Sequence, residues 1–175
     1  MSLDPEFEDL VNLHYSRLFQ FALSLTQNES DAADLTQQTF LVWANKNHQL
    51  QDRSKAKTWL FTTLHRDFLT TRRRLVRFQP VVLDEVEEEL PSMPEPSVRP
   101  MDAHLILEAL GRLDDVFRAP VALFYLEDHS YKDIAEILGV PIGTVKSRLS
   151  RGIAQLQQLL AANPGNPAEE SVRHD

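Results

Sequence analysis

The chain contains no cysteine. Disulfide frameworks, thiolate metal sites and cysteine nucleophiles are therefore excluded. Glycine is scarce, five in 175 residues, and no Val/Ile/Thr alternation of strand length stands out, so the chain reads as helical. No stretch approaches the roughly 18 uninterrupted apolar residues of a membrane span. The first six residues, MSLDPE, lack a basic segment followed by an apolar run. No membrane insertion is expected, and a cytoplasmic location follows by default. The six histidines (His14, His48, His65, His104, His129, His174) are scattered, with no helical His-x-x-x-His pair, phosphate-binding glycine loop or nucleophile elbow. No catalytic residue, metal or cofactor is expected, and the chain does not read as an enzyme. Bases are also in deficit: 18 Lys and Arg against 26 Asp and Glu give a net charge of −8. That excludes nucleic-acid binding through bulk positive charge.

The distribution of charge says more than its sum. Residues 53–77 hold eight bases and one acid, Asp67, inside an otherwise acidic chain. Such a block reads as a local anion-binding face once it lies on one side of a helix. Residues 78–100 hold six acids, one base and five of the ten prolines. A stiff, acidic segment of this kind buries little apolar surface and reads as a linker. It divides the chain into a unit at 1–77 and a second at 101–162, each near the lower size limit for a self-standing core. The tail at 163–175 is expected to be disordered. The fold class expected is all-α: two small helical domains joined by an acidic proline-rich linker. Helices are placed near 5–26, 29–47 and 55–76, then near 101–112, 115–127, 131–138 and 143–161.

The second unit carries a helix-turn-helix pattern. Ser130 with Asp133 approximates a capping box. Ile134, Ile137 and Leu138 form an apolar stripe, Gly139 suits a left-handed C-terminal cap, and Pro141 stops the helix. The next helix puts Val145, Leu149, Ile153, Leu156 and Leu160 on one stripe. Ser147, Ser150, Arg151 and Ala154 lie opposite, with Thr144 and Arg148 on one flank and Lys146 on the other. A polar face with three bases and no acid over 143–155 suits entry into a major groove, where Arg and Lys donate to guanine edges or phosphates.

In the first unit, Leu60, Phe61, Leu64, Phe68 and Leu75 are expected to form the buried stripe of the basic helix. Its opposite face carries Trp59, Thr63, Arg66, Thr70 and Arg73, with Thr62 and Arg74 alongside. Tryptophan on a basic face suits stacking on an unpaired base, and packing on a neighbouring helix is the equal alternative. The preceding helix has Asn28 as an N-cap. Ala32, Leu35, Thr39, Val42 and Trp43 face inward. Asp34, Gln37, Gln38, Leu41 and Asn45 face outward, an acidic, amide-rich surface that repels DNA and points to a protein partner or to solvent.

Residues 31–43 (DAADLTQQTFLVW) and 130–151 (SYKDIAEILGVPIGTVKSRLSR), in this order and spacing, resemble the extracytoplasmic-function (group 4) bacterial sigma factors, the resemblance covering about residues 5–161. It implies a factor that binds core RNA polymerase and directs promoter recognition, −10 strand opening and transcription initiation. Asp34, Gln37, Gln38 and Leu41 would dock on the β′ clamp coiled coil. Arg53, Lys55 and Lys57, with Trp59, Thr63, Arg66, Thr70, Arg73 and Arg74, would hold the −10 element. Thr144, Lys146, Ser147, Arg148, Ser150 and Arg151 would take the −35 duplex, beside the β flap. The linker would thread the polymerase cleft, and the family often has an anti-sigma factor. The family's common glutamate is Gln38 here, its usual asparagine in the −10 helix is Arg66, and its aspartate four residues later is Thr70.

The charge arithmetic agrees. Two small basic faces on a chain of net −8 bind DNA weakly alone, because few phosphates are neutralised. Held together on one large partner, they gain from effective concentration. The alternatives are a stand-alone helix-turn-helix regulator, which would dimerise on a palindromic site, and an interaction module whose basic helix binds an acidic partner.

Overall fold

The structure is a computed structural model, and it describes residues 4–75 and 103–162. The expected linker at 78–100 and tail at 163–175 lie outside the described residues. Seven α-helices occur among them: α1 Pro5–Thr26, α2 Glu29–Lys46, α3 Ala56–Leu75, α4 Ala103–Leu110, α5 Asp115–Tyr125, α6 Tyr131–Leu138 and α7 Ile142–Ala161. Single turns of 3₁₀ helix at Asn47–Gln49 and Arg53–Lys55 lead from α2 to α3.

The ends of these helices follow from local chemistry. Asp4 caps α1, its carboxylate accepting from the Glu6 N–H at 3.2 Å, and Pro5 sits at the first helical position, where no N–H is needed. Asn28 caps α2 by accepting from the Asp31 N–H at 3.0 Å. Ser130 does the same for α6 through the Asp133 N–H at 3.1 Å. Gly139 ends α6 at φ +66°, where a Cβ would be strained.

In the first half, α1, α2 and α3 pack around Leu18, Phe21, Ala32, Leu60, Phe61 and Leu64. Tyr15 stacks on Phe40, 6.2 Å between centroids, and joins α1 to α2. In the second half, α7 lies across α5 and closes on α4 and α6. Gly152 allows this approach: a Cβ there would stand 2.6 Å from Val121 Cγ2 and 2.9 Å from Phe117 Cβ. Arg118 ties the α4–α5 turn by donating to the carbonyls of Leu110, Gly111 and Leu113 at 2.9–3.2 Å, which satisfies the end of α4.

The two halves are helical domains as expected, and they are docked on each other. α3 packs on α6, and α1 packs on α5 and α4. Their buried apolar residues form one cluster. The Phe61 and His129 rings meet edge to face at 4.7 Å, and Arg72 pairs with Asp115. Gln27, at the end of α1, donates from Nε2 to the Leu107 carbonyl at 3.5 Å, with its amide against Gly111.

Three expectations need correction. Leu75, placed in the buried stripe of α3, is 81% exposed, because it is the last residue of that helix and lies past the core. The helix expected to 127 ends at Tyr125, and Glu127 instead turns into the contact between the halves. The helix expected to run to 112 ends at Leu110, and its expected start at 101 lies outside the described residues.

Candidate nucleic-acid interface

The polar surfaces of α2, α3 and α7 carry the candidate residues. On α2, Asp34, Gln37, Gln38, Leu41 and Asn45 are all exposed, and Leu41 stands 59% open. Ala32, Thr36, Thr39, Phe40 and Trp43 are buried beneath them, while Leu35 and Val42 are half-buried. Thr36 and Thr39 satisfy their hydroxyls on the carbonyls of Ala32 and Leu35, at 2.7 and 2.9 Å, which lets polar residues sit in the core.

On α3, Trp59 is half-buried and packs edge-on to Trp43, 5.2 Å between centroids. Arg53 Cζ lies 5.8 Å from the Trp43 ring centre, and its guanidinium also pairs with Glu6 at 3.4 Å. Trp59 thus rests on a neighbouring helix and keeps part of its surface exposed. Lys55, Arg66, Thr70, Arg73 and Arg74 are exposed, and Lys57 and Thr63 are half-buried. The Thr70 hydroxyl donates to the Arg66 carbonyl at 2.9 Å. Lys57 Nζ reaches the Glu127 carbonyl across the domain contact at 3.5 Å.

On α7, Val145, Leu149, Ile153, Leu156 and Leu160 are buried as expected, and Lys146 and Arg151 are exposed. Ser147 and Ser150 are half-buried, and the Ser147 hydroxyl donates to the Thr144 carbonyl at 3.0 Å. Thr144 itself is buried, so its side chain belongs to the packing in this conformation. Arg148 is half-buried, and its charge acts on His65 of α3. Burial, with the charges of Arg148 and Arg66 beside it, lowers the His65 pKa to about 4, so the imidazole is neutral at pH 7.

Sequence reasoning missed the groups buried between the halves: His65, Glu127 and His129. A lone histidine or glutamate in a sequence gives no sign of burial that depends on a distant helix. Among the described residues, no cluster of His, Cys, Asp or Glu is arranged to hold a metal, and no helix is long and apolar enough to cross a membrane.

A helical pair of domains that presents one acidic-amide face, one basic helix and one helix-turn-helix is the architecture of a sigma factor. Residues 10–78 match the Sigma-70 region 2 family and residues 103–156 the Sigma-70 region 4 family. The chain is 34% identical over 171 residues to the ECF RNA polymerase sigma factor SigE of Mycolicibacterium smegmatis, covering 95% of this chain and 66% of that protein. It is 33% identical over 154 residues to the ECF RNA polymerase sigma factor SigL of Mycobacterium tuberculosis, covering 86% of each. Its fold is similar to that of the sigma factor RpoE in complex with the anti-sigma factor NepR from Bartonella quintana (TM-score 0.71, 31% identity, 91% of this chain and 99% of that one). It is also similar to CnrH in complex with the cytosolic domain of CnrY (TM-score 0.62, 25% identity, 90% and 88%). The chain belongs to the extracytoplasmic-function RNA polymerase sigma factors, a non-catalytic class that directs promoter recognition.

Proposed function

We propose that the three faces act in one sequence of contacts. The α2 face, with Leu41 at its centre and Asp34, Gln37 and Gln38 around it, docks on the β′ clamp coiled coil of core RNA polymerase. The second domain settles by the β flap and lays α7 in the major groove of the −35 element, with Lys146, Ser147, Ser150 and Arg151 towards base edges and Arg148 towards the backbone. The basic surface of α3 and the turn before it, from Arg53 through Trp59 to Arg74, holds the separated non-template strand of the −10 element. Trp59 supplies a stacking surface and the arginines neutralise phosphates. No step needs a cofactor.

The observation that carries this reading is the exposure of Leu41 among polar neighbours, 59% open on a helix whose other large apolar residues are buried or half-buried. A large apolar side chain ringed by amides and a carboxylate fits the centre of a protein contact. An anti-sigma factor is a further partner in this proposal, supported by the two similar structures, each of which is a complex with one or with a partner's cytosolic domain.

The test is run-off transcription by core RNA polymerase with and without the chain. Addition is expected to redirect initiation to a defined promoter set. Reversing charge at Arg66 and Arg73 is expected to lower that transcription at least tenfold, while binding to core stays within twofold. A chain that is folded and bound to core but never redirects initiation refutes the reading. A purified free chain that binds a palindromic duplex tightly as a dimer supports the stand-alone regulator instead.

A further inference from the structure

The loop at residues 126–130, between α5 and α6, holds groups that neither polymerase docking nor DNA binding uses. Glu127 has no accessible surface, and neither of its carboxylate oxygens has a hydrogen-bond partner. Its nearest cation is the half-exposed Arg17 on α1, at 3.9 Å. Arg17 also lies 3.8 Å from Asp128. Lys57 on α3 binds the backbone carbonyl of Glu127 rather than its carboxylate. Two residues on, His129 is buried against Phe61, and its Nε2 has no partner. A buried carboxyl without hydrogen-bond partners opposes closure when it is charged. This one lies at the joint between the halves, with α1 and α3 on one side and its own loop on the other.

We propose that residues 126–130 are a latch: Glu127, buried beside Arg17 with its backbone carbonyl on Lys57, holds the free chain closed, and promoter binding requires its withdrawal as the two domains part. Closure engages residues proposed for DNA from both sides: Lys57 Nζ reaches the latch itself, and the charge of half-buried Arg148 acts on the buried His65. The closure stands on the contacts just described. Its consequence for DNA rests on the function proposed above.

The charged and titratable groups around the joint are His14 and Arg17 on α1, Lys57 on α3, Asp128 and His129 on the loop, and Lys132 and Asp133 on α6. Burial pushes the Glu127 pKa up from its ordinary value to about 8, with Arg17 and Lys57 opposing and Asp128 reinforcing. A group whose pKa is raised in the closed state favours closure fully below its open-state pKa and ceases to do so as pH rises through about 8. Burial lowers His129 and His65 to about 4 and lowers His14, so these three favour closure above their ordinary pKa and disfavour it as pH falls. The histidine contributions level off only by about pH 8, one and a half units above their ordinary pKa. From pH 7 to about pH 8 the fall through Glu127 outweighs the residual rise from the histidines, and the closed-to-open ratio is expected to fall by a few-fold.

Because the chain lacks cysteine, two engineered cysteines at exposed Asn12 on α1 and Gln157 on α7 report the separation of the halves by spin-label distances on the full-length free protein. Wild type is expected to show one short distance at pH 7 and a growing longer population by pH 9. Glu127→Gln, which keeps the neutral shape, is expected to stay closed across that range. Glu127→Arg is expected to open at pH 7, and adding Arg17→Glu to it is expected to restore the short distance. Circular dichroism checks that each variant is folded, and the Gln variant decides if the Arg variant is not. Identical pH profiles for wild type and the Gln variant overturn the latch, as does a folded Glu127→Arg protein that remains closed. The open variant is also expected to bind a −35 duplex, taken from a promoter the chain transcribes, at least tenfold more tightly without polymerase. If the halves separate and that affinity does not change, the latch stands and its role in DNA binding falls.

Discussion

The face of α2 and the face of α7 are both polar helix surfaces with a few candidate contact residues, yet the free chain treats them differently. All of the α2 set is exposed, including an apolar side chain at its centre. The α7 set is divided: Lys146 and Arg151 are open, Ser147, Arg148 and Ser150 are half-buried, and Thr144 is buried. The basic helix α3 is divided in the same way, with its C-terminal arginines exposed and Lys57 drawn into the joint. The surface proposed for polymerase is therefore complete before any encounter, while the surfaces proposed for DNA are not. This ordering suits a chain of net −8, for which binding DNA first would oppose the overall charge.

The sharpest way to break the contrast is at Leu41. Leu41→Asp removes the apolar centre and adds a buried charge to the proposed contact. Loss of a central interface residue is worth about 2 kcal/mol or more, about thirtyfold in affinity for core polymerase. Thermal stability of the free chain is expected to be unchanged, since the side chain touches little in it. Affinity measured by fluorescence titration with core enzyme, beside a melting curve, checks both halves of the expectation. Gly152→Ala acts on the other side. Its Cβ would overlap Val121 and the base of Phe117, so α7 must shift on α5. Overpacking of this kind destabilises by roughly 1–3 kcal/mol. Denaturant unfolding is expected to register that loss, and −35 binding to weaken, while docking of the α2 face on core is retained.

How much of this was legible depends on the range of the interaction. The α2 outer face was readable because helical period alone separates Leu41 from Trp43, and both fall where the period puts them. The caps at Asn28 and Ser130 and the stop at Gly139 were readable because each is decided within four residues. Leu75 was misplaced because period continues to the end of a helix whether or not a neighbour does. Thr144 and Arg148 share a flank by period, but period does not say that Thr144 is buried and Arg148 half-buried, since that is set by elements outside α7. Glu127 was illegible for the same reason. Nothing in its own segment marks an acid for burial, and the partners that surround it come from α1 and α3. The acidic linker suggested two independent units, and its composition holds no information on whether the units dock.

The smallest effect expected is the most informative about how local stability and domain closure are joined. Ser130→Ala removes the hydroxyl that accepts from the Asp133 N–H, leaving an unsatisfied donor in the first turn of α6. Such a loss is worth about 1 kcal/mol. Ser130→Thr keeps an acceptor and is expected to recover most of it. Because α6 begins where the loop at 126–130 ends, and α6 packs on α3 across the joint, a frayed first turn loosens both the helix-turn-helix and the seat of His129. Amide hydrogen exchange is expected to quicken in the first turn of α6 and in the 126–130 loop of the alanine variant, and to stay at the wild-type rate along α2. Faster exchange in α6 alone, with the loop unaffected, would separate the cap from the closure and leave the domain contact to α1, α3 and Glu127.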